Sequence, residues 1–113
     1  MHRQPQDTLR VPTRLAIVYR EFERKAQFCA DVLDEAHRLW LLDKDGSPLN
    51  QVIARAGELL DDIDEILVVL GCAAHGRAFA TASTLRRDLE QLQTAITAQR
   101  LARAAKLRAL DSH

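Results

Sequence analysis

Between Leu49 and Leu70 the apolar residues fall at Leu49, Val52 and Ile53, Ala56, Leu59 and Leu60, Ile63, Ile66 and Leu67, and Leu70. Spacings of three and four repeated over such a length mark one face of an α-helix, whereas a strand would show a period of two. The seam is nearly a heptad repeat, the pattern of a helix packed on other helices along its whole length. One such helix cannot cover its own stripe, so the rest of the chain must supply the partners.

Two further stripes do so. Upstream, Leu15, Val18, Phe22, Ala26, Cys29, Val32 and Leu33, Ala36, Leu39 and Trp40 recur at helical spacing and predict a helix over about 13–42. Downstream, Ala82, Leu85, Leu89, Leu92 and Ile96 predict a third, opening between Arg77 and Thr84 and drawn at 79–110. The breakers lie between the stripes: "DKDGS" at 43–47, then Ser47 and Pro48 as N-cap and first residue of a helix over 48–70, and "GCAAHG" at 71–76. Pro5 and Pro12 set residues 1–12 apart as a flexible lead. Short connections between long helices make neighbours antiparallel. The expected fold is therefore all-α: one domain over 13–110, an antiparallel up-down-up three-helix bundle with long helices and protruding helix ends. A chain of 113 residues, 47% of them hydrophobic, suffices for one such core.

The helices are unequal. At 1.5 Å per residue they measure roughly 45, 35 and 40 to 50 Å. Helix 1 should outrun helix 2 near Arg20, leaving Leu15, Val18 and Tyr19 short of cover. Helix 3 should pass the "DKDGS" turn near Arg100, so that Arg100, Leu101, Arg103, Lys106, Leu107 and Arg108 project beyond the core. Ala95, Ala98, Ala102, Ala105 and Ala109 recur there every three or four residues, a small-residue face along which another helix can approach closely. These overhanging residues, Leu15, Val18, Tyr19, Arg100, Leu101, Arg103, Lys106, Leu107 and Arg108, form the candidate partner-binding set.

Motifs for other chemistry do not complete themselves. A calcium loop needs oxygen ligands at positions 1, 3 and 5, Gly at 6 and Glu at 12. With Gly46 at position 6, Leu41 falls at 1 and Val52 at 12; with Asp43 at position 1, Pro48 and Ala54 take the Gly and Glu places. Asp43 and Asp45 read as turn residues instead. "DEAHRLW" sets Asp34 and His37 three apart beside Asp31 and Glu35, one Asp-x-x-His where a bundle metal site needs such motifs on several helices. His75 resembles the phosphoaccepting histidine of histidine phosphotransfer domains only in its "AH". That family places Lys and Gly three and four residues on, where Ala78 and Phe79 stand here. Cys72 and His75 make at most half a zinc site. Cys29 and Cys72 are offset by roughly 16 Å along the bundle, too far to bridge, so both thiols are expected free. Neither a metal nor a cofactor is expected, and no nucleophile elbow or phosphate loop suggests an enzyme.

Formal net charge is zero. It hides an asymmetry: helix 2 carries Glu58, Asp61, Asp62, Asp64 and Glu65 against Arg55, while helix 3 carries Arg77, Arg86, Arg87, Arg100, Arg103, Lys106 and Arg108 against Asp88 and Glu90. Mutual neutralisation of helices 2 and 3 accounts for the middle of the bundle. The expected function is a non-enzymatic protein-protein interaction module, an adaptor, chaperone or regulator of a larger complex, pairing with itself as a homodimer or with another protein. The alternative is a nucleic-acid-binding regulator that lays its basic C-terminal helix on phosphates. The polar start and the lack of any apolar run near 20 residues predict a soluble, cytoplasmic chain without membrane contact.

Overall fold

The computed structural model of the protein describes residues 5–71 and 76–111, the side chains of 5–13 excepted. Three helices run in order: α1 (Pro5–Leu41), α2 (Ser47–Leu70) and α3 (Gly76–Asp111). No strand occurs among the described residues. Direction alternates. Ile17 of α1 shares a groove with Val69 of α2, Lys25 reaches Asp62, and Arg86 of α3 pairs with Asp64. The molecule is an antiparallel three-helix bundle.

The core consists of the three stripes. From α1 come Phe22, Ala26, Cys29, Leu33, Ala36 and Leu39; from α2, Leu49, Ala56, Leu59, Leu60, Ile63, Leu67 and Leu70; from α3, Ala78, Ala82, Leu85, Leu89, Leu92 and Ile96. No polar or charged side chain is buried among the described residues, so burial of apolar surface dominates cohesion and no desolvated charge opposes it. Leu49, Ala36, Leu39, Leu92 and Ile96 form a smaller cluster at the turn end. Ile53 touches both this and the main cluster, making the core continuous.

Helix boundaries depart from the sequence-based expectation in three places. α1 opens at Pro5, so 5–12 is helical backbone where a flexible lead was expected. Proline's fixed φ suits a helix and its missing N–H costs nothing in the first turn, while Pro12 removes one bond of the second. α3 opens at Gly76, ahead of the expected 79, which draws Ala78 fully into the core. α2 begins one residue early, with Gly46 as its cap and Ser47 already helical.

The last shift follows from the turn. Lys44 N–H donates to the Leu39 carbonyl at 2.9 Å and Asp43 N–H to that of Trp40 at 3.0 Å. That is the Schellman pattern, which needs a left-handed residue, here Asp43 at φ 57. Gly46 then stands at φ 135, ψ −157, backbone that essentially only glycine enters, and its carbonyl accepts the first helical bond from Asn50 N–H at 3.0 Å. The Ser47 hydroxyl caps no amide; it accepts from Gln51 Nε2 at 3.4 Å.

Candidate functional site

Beyond the turn, α3 runs on alone. Its crossing point is fixed by Arg100, whose Nη2 donates to Asp45 Oδ1 at 2.6 Å and to Asn50 Oδ1 at 2.7 Å, while Nε donates to both Asp45 oxygens at 3.1 Å. One turn on, Arg103 donates to Asp43 and, from Nη1 at 3.5 Å, to Asp45 Oδ2. The "DKDGS" carboxylates thus face guanidinium groups, and the segment is a corner clamped to α3. The Arg100 hydrogen bond, partly opposed by loss of solvent, holds the Asp45 carboxyl below the ordinary aspartate range.

Two members of the partner-binding set, Arg100 and Arg103, accordingly serve the chain's own turn. The expectation that they project beyond the core toward a partner gives way to this intramolecular use. Val18 and Tyr19 are half-buried against the core, with the Tyr19 ring tilted on Phe22 at 5.8 Å between centroids. Leu15 stands at the margin of exposure, 36%. Leu101, Lys106, Leu107 and Arg108 are exposed as expected, and residues 104–111 carry α3 about 12 Å past Arg103.

At the opposite end, where α1 was expected to outrun α2, the exposure extends to Val68, Val69 and Phe79, which the sequence-based expectation did not include. Ile17, Val68, Val69 and Phe79 present their side chains to solvent. Ile17 and Val69 line one groove between α1 and α2, with Glu21, Lys25, Asp62 and Glu65 at its walls. Val68 and Phe79 line another between α2 and α3. The two valines are adjacent in sequence, so the grooves lie on neighbouring sides of the end of α2. A signal existed: Val68 and Val69 lie about 100° and 200° around the helix from Leu67, off its stripe.

The polar candidates are dispersed. His37 Nε2 lies 3.8 Å from Asp88 Oδ1 on α3, away from any carboxylate cluster. Among the described residues no three His, Cys, Asp or Glu side chains stand together as metal ligands. Cys29 is a free thiol, wholly buried beside the Ala56 carbonyl, and burial raises its pKa. Cys72 and His75 lie outside the described residues. No described helix is long and apolar enough to cross a membrane. Comparison with family models, curated proteins and solved structures returns no match.

Proposed function

We propose that this chain is a non-enzymatic helical interaction module, an adaptor, chaperone or regulator of a larger assembly, which pairs with itself or another protein through the two ends of its bundle. The observation that supports this most is the concentration of exposed large apolar side chains at those ends: Ile17, Val68, Val69 and Phe79 at one, Leu41, Leu42, Leu107 and Leu110 at the other. Surfaces of this type are uncommon on monomers unless they bind something. Action in the cytoplasm belongs to the same proposal. The nucleic-acid alternative draws less support, because Arg100 and Arg103 spend their charge on Asp45 and Asp43, leaving fewer cations for phosphates.

The test combines solution mass by light scattering at tens of micromolar with affinity capture from the source cell, for the wild type and for a Val68→Glu, Val69→Glu variant. Self-association, or a captured protein lost with the variant, supports the proposal. A chain that stays monomeric and captures nothing the variant misses overturns it.

A further inference from the structure

Leu107 and Leu110 stand eighteen residues after Leu89 and Leu92. At 3.6 residues per turn that is five whole turns, so they lie on the same face of α3 as those two core leucines. Arg103, by the same count, continues the line of Leu85 and points inward to Asp43. The core stripe of α3 therefore extends past the place where α1 ends and α2 begins. Leu89 and Leu92 are 7% and 3% exposed, whereas Leu107 and Leu110 are 62% and 64% exposed. No described part of this chain reaches them.

We infer that the missing cover is the same segment of a second copy: residues 104–111 of two chains pair antiparallel about a two-fold axis near Leu107, joining two bundles end to end at their turns. This rests on the self-pairing reading above and assigns it to one end. Several features fit this occupant. Each overhang is the length of the other, so the space beyond one turn is filled by the partner's helix up to its own turn. Each tip, at Leu110, arrives where the other chain exposes Leu41 and Leu42. Antiparallel helices oppose their dipoles favourably. One axis satisfies both surfaces, so the assembly closes as a dimer and does not propagate.

The full-length chain is tested by light scattering, with circular dichroism to verify helicity. The expected wild-type mass is twice 12.7 kDa. A Leu107→Glu, Leu110→Glu variant, whose substitutions lie in solvent in the single chain, is expected to fall to the monomer mass with helicity retained. In a Cys72→Ser background, Leu107→Cys is expected to form a disulfide-linked dimer under mild oxidation, and Val69→Cys is not. A wild type that dimerises while the double glutamate variant also remains dimeric overturns this inference and leaves self-pairing standing through another surface. Failure of Leu107→Cys to link in a dimeric preparation overturns the antiparallel arrangement. A wild type monomeric at hundreds of micromolar overturns the inference together with self-pairing, and assigns Leu107 and Leu110 to a different protein.

Discussion

Arg100 binds Asp45 through two nitrogens, across fifty-five positions of sequence. The contact fastens the third helix to the hairpin made by the first two. Because the hydrogen bond from Arg100 lowers the Asp45 pKa in the folded state, its contribution to stability is complete above the unfolded aspartate value, about 3.9, and is lost as pH falls through the depressed folded value. Asp45→Asn should therefore be less stable than the wild type at pH 7, with the difference closing in strong acid. Urea unfolding of both proteins at several pH values measures it; a difference that does not change with pH contradicts the assignment.

Gly46 has open space where a Cβ would stand, yet its φ is +135. Gly46→Ala should cost about 1–3 kcal/mol through backbone strain alone. Chemical denaturation would read this, and a cost near zero would mean the turn adopts another conformation at little expense.

Gly57 lies inside α2 with nothing within 4 Å of an added Cβ. Its backbone is helical, so Gly57→Ala should stabilise by about 0.5–1 kcal/mol, the difference in helix propensity. A raised melting temperature is the expected readout.

Ile63 is 0% exposed at the centre of the main cluster. Ile63→Ala should cost about 2–5 kcal/mol, the range for truncating a buried large aliphatic. A loss below 1 kcal/mol in equilibrium unfolding would place that stripe outside the core.

The fold was legible because each helix carries its own periodicity; Leu59, Ile63, Leu89 and Ile96 announce their burial through neighbours three or four residues away. What lay hidden depends on distance. Nothing local ties Arg100 to Asp45 or Arg103 to Asp43, so cations destined for the turn looked available to a partner. Pro5 and Pro12 suggested a break because proline is read as one, although its φ is helical. Ala78 carries no periodic signal of its own, because "GCAAHG" just before it obscures where α3 starts. In the candidate site, Leu107 was recognisable as overhang from helix lengths alone, whereas the exposure of Val68 and Phe79 depends on how the ends of α2 and α3 meet.

The clamp at Asp45 bears on the free energy of ordering as well as on position. A helix of eight residues, taken alone in water, hardly forms, because its first turn fixes several residues for a single hydrogen bond. Residues 104–111 never face that nucleation step: they extend a helix already set by Ile96 and held at Arg100, and Ala104, Ala105 and Ala109 favour continuation. A partner meeting Leu107 and Leu110 thus meets a preformed rod whose ordering entropy was lost when the bundle folded, and more of the contact energy remains as affinity.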